Sequence, residues 1–146
     1  MRPYDVAIVG LGAMGSAAAW HLARRGVRVV GLDRHCPPHS FGSTHGRSRI
    51  LREAYFEHPL YVPLVQRAHA LWRELEHEAG RALMDATGGL MIGPEDGTLV
   101  RGAEQSARLH RLPCARWSAA EVRERVPALG GVPDRVVALW EPHAAM

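Results

Sequence analysis

Three groups of residues in this chain have types and a spacing that could do chemistry. The first is Gly10-Leu11-Gly12-Ala13-Met14-Gly15, which fits G-x-G-x-x-G. Gly10 suits a tight turn out of a strand, Gly12 lets a pyrophosphate approach the backbone, and Gly15 lets the following helix pack close to a sheet. The phosphates would rest on the free N–H groups and positive dipole of the helix N-terminus, which brings Ala13 and Met14 into the binding set. The second group is Asp33 with Arg34, roughly 20 residues further on, where a carboxylate can accept hydrogen bonds from ribose hydroxyls. A carboxylate there disfavours a 2′-phosphate, so NADP fits least. The third is Gly42-Ser43-Thr44-His45-Gly46-Arg47-Ser48-Arg49. Its glycines permit close approach to a planar ring, and its Arg and His could stabilise negative charge on a reduced flavin. An NAD-binding unit usually returns promptly to a helix and a third strand, whereas this chain sends out a polar loop. The expected ligand is therefore FAD, with an NAD-linked dehydrogenase or a non-catalytic nucleotide-binding module as the alternatives.

The elements that must position these residues follow from the apolar pattern. Tyr4–Val9 is a short β-branched run, expected as a strand buried on both faces of a parallel sheet. Ala13–Arg25 is Ala-rich with arginines at its end, the right polarity for a helix C-terminus, and Gly26 stops it. Val27–Asp33 is the second strand, reached by a right-handed crossover. Arg34–Arg47, with Pro37, Pro38, Gly42 and Gly46, is a loop long enough to suggest function. Leu60–Ala79 reads as an amphipathic helix whose Leu64, Ala68, Leu71 and Leu75, flanked by Val65 and Trp72, form a core stripe. Leu90–Ile92 and Val136–Trp140 are short strands, and Thr98–His110 is a helix. Ser118-Ala-Ala-Glu121 is a capping box opening a helix that Pro127 ends.

The fold class expected is α/β: the N-terminal part of a Rossmann-like FAD-binding domain, then the start of a mixed α+β substrate domain. Residues 1–84 would hold the βαβ unit, flavin loop and long helix, and 85–146 the beginning of the second domain. A dinucleotide fold needs two βαβαβ halves, and one βαβ is present. The terminal Glu-Pro-His-Ala-Ala-Met carries no helix cap or closing strand, so the chain reads as the front of a larger protein.

Composition narrows the classes. The 146 residues are 47% hydrophobic with a net charge of +3, enough to build a core. All the basic residues are Arg, scattered along the chain, which argues against a nucleic-acid-binding face. No apolar run reaches bilayer length, and Asp5 interrupts any N-terminal signal segment. Cys36 and Cys114 form neither a CxxC nor a metal pattern and read as inert thiols in a reducing, cytoplasmic setting. Beyond His45, the histidines show no metal-ligand spacing, so no metal is expected.

Taken together, Gly10–Gly15, Asp33, Pro37-Pro38-His39, Gly42–Gly46, Ser48-Arg49-Ile50-Leu51-Arg52, Ala54-Tyr55, Tyr61–Leu64, Leu71-Trp72, Thr87-Gly88-Gly89 and Trp140-Glu141-Pro142 resemble the FAD-dependent amine oxidases of the monomeric sarcosine oxidase and N-methyltryptophan oxidase group, which includes pipecolate oxidases. Members oxidise a C–N bond of a secondary amino acid by hydride transfer to flavin N5; oxygen reoxidises the flavin to give peroxide, and the imine hydrolyses. The resemblance implies a small amino-acid substrate, O2 and a monomeric full-length enzyme. It places His45 and Arg49 beside the flavin ring, Arg52 on the substrate carboxylate and Tyr55 on the wall of the active site. Ser43, Thr44, Ser48 and Arg49 join the cofactor set, Ser48 keeping the hydroxyl of a more usual Thr. Thr44 departs from a second His or Ser, and Arg47 from an acidic residue. Without the resemblance, His45 would be read as satisfying loop carbonyls, and Arg49 and Arg52 as a solvated helical face. With it, one helical turn would aim both arginines at the same pocket. The family's flavin-linking Cys and oxygen-activating Lys lie later in its chains, so residues 1–146 by themselves are expected to lack oxidase activity.

Overall fold

A computed structural model of the chain describes residues 3–146. The backbone divides into two compact units between Ser48 and Arg49, earlier than the division after residue 84 expected from the sequence.

In the first unit, strand β1 (Val6–Val9) leads into helix α1 (Ala13–Arg24) and back to β2 (Val29–Leu32). The strands run parallel, with Val6 opposite Val29 and Val9 opposite Leu32. Gly26, at φ +77°, ends the helix in the left-handed conformation that glycine tolerates. The Asp5 carboxylate accepts from the Arg28 backbone N–H and guanidinium, tying the starts of the two strands together. β1 was expected to be buried on both faces. Instead Val6 and Ile8 are half-buried while Ala7 and Val9 are exposed. One helix covers one face of a strand pair, and a parallel sheet needs helices on both sides to bury the other. Residues 34–47 hold no regular helix or strand, as the Pro, Gly and Ser content requires.

The second unit contains α2 (Tyr61–Ala79), β3 (Gly89–Pro94), α3 (Thr98–His110), β4 (Ala115–Ser118), α4 (Ala119–Arg125) and β5 (Val136–Glu141). Its sheet is antiparallel in the order β3-β5-β4. The Ser118–Glu121 capping box forms as expected, and Pro127 opens a single 3₁₀ turn. β4 is not foreseen: Ala-Arg-Trp-Ser has weak strand propensity, and pairing with β5 supplies its conformation. The core joins Ala54, Met91, Ala103, Ala107 and Leu139, beside a second cluster of Trp117, Val122 and Ala138. Trp117 and Trp140 stack at 5.2 Å.

Two expectations change here. The buried line of α2 is Val62, Val65 and His69, whereas Leu64 and Trp72 are exposed at 67% and 42%. Val62 and Leu64, two residues apart, point about 160° away from each other around the helix. Among the described residues the Val62 side is the one that finds cover; Ala68, Leu71 and Leu75 are half-buried. The terminal residues also pair with earlier chain. Leu51 and Ala145 exchange N–H···O bonds of 2.8 Å, and so do Asp85 and Met146.

Candidate functional site

In the first unit the glycine turn is built by contact with α1. A Cβ on Gly15 would stand 1.8 Å from the Gly10 carbonyl oxygen, so the helix start lies directly on the turn. Gly10 itself has φ +90°. Gly12 is the helix N-cap and brings no side-chain acceptor. The first intrahelical bond runs from Ser16 N–H to Gly12 C=O, which leaves the preceding first-turn amides free for an external oxygen. An oxygen already stands there: Thr44 Oγ1 accepts from Ala13 N–H at 3.3 Å. Thr44 Oγ1 is also the one atom that a Cβ on Gly12 would approach, at 3.6 Å, so the space over the turn is otherwise open. Met14 is 87% exposed at the same end. This arrangement fits a pyrophosphate: open backbone, free donors and a positive helix end.

Asp33 closes the turn from the β2 side. Its Oδ2 accepts from Leu11 N–H at 2.6 Å, and its Oδ1 accepts from His35 N–H at 3.0 Å and faces His39 Nε2 at 3.2 Å. The His35 and Leu11 N–H bonds, with help from His39, hold the carboxyl at about 2, so it is ionised at any physiological pH. His39 Nδ1 accepts from Phe41 N–H at 3.2 Å, which puts its proton on Nε2, toward Asp33. Three of the roughly four lone-pair sites of the carboxylate are thus taken, and one remains for a hydroxyl donor.

Of the remaining residues expected in this unit, Arg34, Ser43, His45 and Ser48 are all exposed. His45 Nδ1 lies 2.6 Å from the Gly42 carbonyl. A ring nitrogen against a carbonyl must carry the proton, so Nε2 of neutral His45 is an acceptor.

In the second unit, Arg49 is exposed and Arg52 half-buried. The helical turn expected to align them does not form, because Leu51 is in an extended bridge with Ala145. Pairing with a distant segment overrides the local i, i+3 geometry. Arg52 Nη2 donates to Glu57 Oε1 at 2.9 Å, and its guanidinium carbon lies 4.9 Å and 4.8 Å from the Tyr55 and Phe56 ring centres. Tyr55 packs on Tyr61 at 5.2 Å, and Ser106 of α3 donates its hydroxyl to the Tyr55 carbonyl. A cavity of about 270 Å³ is lined by Ile50, Arg52, Thr87, Gly88, Met91 and Glu141, among others. A larger groove of about 840 Å³ over Phe56, Glu57 and α3 carries charges of both signs, Asp96, Arg101, Glu104 and Arg108. Arg52, whose guanidinium is suited to a carboxylate ligand, is among the residues that line the smaller cavity.

Four residues have roles that the sequence does not assign: Glu57, the present partner of Arg52; His39, which backs Asp33; buried His69; and Glu141, 2% exposed at the end of β5. A carboxylate that closes the apolar run Val-Val-Ala-Leu-Trp was a readable signal, since a buried carboxylate must find donors. The thiol of Cys114 is pushed up to about 11 by burial, which keeps it protonated at neutral pH. Among the described residues no group of three His, Cys, Asp or Glu side chains is placed to hold a metal ion, and no helix is long and apolar enough to cross a membrane.

Comparison with known proteins bears on the same residues. Residues 5–146 match the family described as DAO, FAD dependent oxidoreductase. The chain is 47% identical over 143 residues to a monomeric sarcosine oxidase of Streptomyces avermitilis, covering 98% of this chain and 37% of that protein. It is 39% identical over 141 residues to an N-methyl-L-tryptophan oxidase of Yersinia pestis, covering 97% and 38%. The chain thus spans less than two fifths of the length of these curated relatives. Among solved structures it superimposes on NikD, described as an unusual amino acid oxidase essential for nikkomycin biosynthesis, with TM-score 0.83 and 28% identity over 99% of this chain and 37% of the other. A glycine oxidase from Geobacillus kaustophilus shares the fold at TM-score 0.74 and 22% identity, over 98% of this chain and 40% of the other. The family's cofactor is FAD, which removes the NAD alternative. With a glycine turn shaped for a pyrophosphate and a match running almost end to end, this chain belongs to the FAD dependent oxidoreductase family.

Proposed function

We propose that residues 1–146 carry the nucleotide-binding turn and the carboxylate anchor of an oxidase that acts on the C–N bond of secondary or N-methyl amino acids such as sarcosine, giving an imine and hydrogen peroxide. The observation that carries this reading is Arg52: a residue lining a small cavity, its guanidinium stacked near two aromatic rings and held at present by one carboxylate oxygen of Glu57. The names of the relatives support the same substrate class.

Bound FAD supplies a two-electron acceptor, with O2 as the final oxidant. What the chain's own residues do follows from their chemistry. The Gly10–Gly15 turn and the first-turn amides of Ala13 and Met14 hold the pyrophosphate, with Thr44 ceding or sharing its place. Asp33 offers its last acceptor site to a ribose hydroxyl, and Arg34 flanks it. Ser43, His45, Ser48 and Arg49 serve the ring end; Nε2 of His45 can accept a proton or a hydrogen bond. The planar fork of Arg52 meets the substrate carboxylate in two parallel bonds, exchanging Glu57 for the ligand, and the Tyr55 ring lies beside the guanidinium. The substrate is a small amino acid and O2 the co-substrate. The whole enzyme is read as monomeric, in the reducing compartment that the two free thiols of this segment suit.

The test uses the whole natural polypeptide carrying this segment, loaded with FAD. Sarcosine should bleach the flavin anaerobically and yield peroxide in air. Flavin that stays oxidised with sarcosine, N-methyltryptophan and pipecolate alike would overturn the substrate class.

A further inference from the structure

The Trp140-Glu141-Pro142 segment is left unused by this reading, yet it holds the most deeply buried carboxylate among the described residues. Glu141 is the last residue of β5, paired with Gly89 of β3, so its backbone is fixed by the sheet. Both carboxylate oxygens are spent on the main chain of a distant segment. Oε1 accepts from Glu53 N–H, and Oε2 accepts from Ala54 N–H at 2.9 Å. Two consecutive amides converging on one carboxylate form an anion-binding nest, here occupied from within the chain. On the other side of Arg52, Leu51 is held by its paired bonds to Ala145, 2.8 Å each.

Arg52 therefore lies between two tethers, Leu51 to Ala145 and Glu53–Ala54 to Glu141, which both run to the same five-residue stretch, 141–145. Residue 52 has few local means of holding its direction, because the segment forms no helical turn. The surroundings of the nest are also fitted to it. A Cβ on Gly88 would strike the Trp140 ring at 2.0 Å, and one on Gly89 would meet Ala144 Cβ at 2.9 Å. The Thr87-Gly88-Gly89 motif thus makes room for the stretch that carries Glu141.

We propose that Glu141 is a positioning residue: its carboxylate splints the backbone at Glu53–Ala54 so that the Arg52 guanidinium is presented to the carboxylate of the substrate. This rests on the carboxylate-anchor reading of Arg52. A guanidinium that must form two parallel bonds tolerates little wandering of its Cα, so slack at Glu53 reaches the ligand as lost alignment.

The experiment compares butanoate, the carbon isostere of sarcosine, which lacks the oxidisable amine, with butanamide, its uncharged counterpart. Their binding to the FAD-loaded whole polypeptide is read from the flavin absorbance. E141Q keeps the shape but turns an N–H donor toward a backbone N–H, losing one acceptor. It should weaken butanoate about tenfold and leave butanamide within about twofold. For sarcosine, KM should rise while kcat stays within about twofold. In an Arg52→Ala background E141Q should add nothing, because the group it positions is gone. Amide exchange at Glu53 and Ala54 should speed up while the β3–β5 ladder stays protected. If E141Q does not fold, E141D, which keeps both oxygens but is one methylene shorter, should show the same selectivity to a smaller degree. Equal losses for the two ligands, or losses that add to those of Arg52→Ala, would make Glu141 a purely structural anchor and overturn the proposal. If Arg52→Ala itself fails to distinguish butanoate from butanamide, the anchor reading falls and this inference with it. If Arg52→Ala distinguishes them and the Glu141 variants do not, this inference alone falls.

Discussion

Substituting Gly12 and Gly15 separately distinguishes a glycine needed by the ligand from one needed by the fold. Gly12 has φ −69° and ψ −167°, backbone that alanine adopts freely, and a Cβ there meets only Thr44 Oγ1 at 3.6 Å. Losing glycine at an N-cap costs roughly 0.5–1 kcal/mol, and the stiffer unfolded chain returns about 0.4–1 kcal/mol. The stability of G12A should therefore stay within about 0.5 kcal/mol of the parent. Gly15 is different. Its Cβ would fall 1.8 Å from the Gly10 carbonyl oxygen and 2.9 Å from the carbonyl carbon, both backbone atoms that cannot rotate away. Helix α1 would have to move off the turn by more than an ångström. Overpacking of this kind costs about 1–3 kcal/mol, and the gain in helix propensity returns up to ~1 kcal/mol. A net loss of about 1–2 kcal/mol is expected for G15A. FAD affinity should fall in both variants, about tenfold or more in G12A, because its methyl occupies the approach to the pyrophosphate. The assay is chemical denaturation of the apoprotein together with FAD titration by flavin fluorescence. G12A with undiminished FAD affinity would refute the seat assigned to the pyrophosphate. Unchanged stability of G15A would refute the close contact of α1 with the turn.

Other substitutions probe the remaining features. Arg52→Ala should weaken butanoate by roughly 2–4 kcal/mol, about 30- to 700-fold, after allowing ~0.5 kcal/mol for the half-exposed Glu57 pair that is also lost; Arg52→Lys should fall between, and an unchanged butanoate affinity in Arg52→Ala would refute the anchor. Asp33→Asn should lower FAD affinity about tenfold, read by fluorescence titration, because the amide cannot accept at every position the carboxylate does. Burial, above all, depresses the pKa of His69, with Arg73 and His143 acting in the same direction and Glu53 and Glu141 opposing. The unfolded chain takes up that proton at its ordinary value of 6.5 while the folded protein resists it, so stability should decline as pH falls below 6.5. Denaturation midpoints measured on either side of that pH should converge in His69→Gln, and a slope as steep as the parent's would exclude His69 as its source. Gly88→Ala, which drives a methyl into the Trp140 ring from a φ of +69°, should destabilise the second unit by about 2 kcal/mol or more, visible in the denaturation midpoint.

The sequence by itself determined whatever depends on neighbours along the chain. The G-x-G-x-x-G turn between strand and helix, the Gly26 stop, the capping box at Ser118 and the span of α3 are local in origin, set by allowed φ, by side chains that reach the nearest amides and by apolar periodicity. The geometry of the glycine turn proposed as the pyrophosphate seat was legible for that reason, since its turn and helix are contiguous and Asp33 directly follows the next strand. The tertiary structure decided what depends on partners far away in sequence. β4 exists because β5 offers it a ladder, and the α2 stripe turned from Leu64 to Val62, Val65 and His69 because burial depends on which face finds cover. Arg52 and Arg49 do not share a helical face, because Ala145 draws Leu51 into a bridge. Glu141 reaches Glu53 and Ala54 across most of the chain, a pairing no local pattern encodes. A buried carboxylate announces in the sequence that it needs donors; only the folded chain determines which amides meet it.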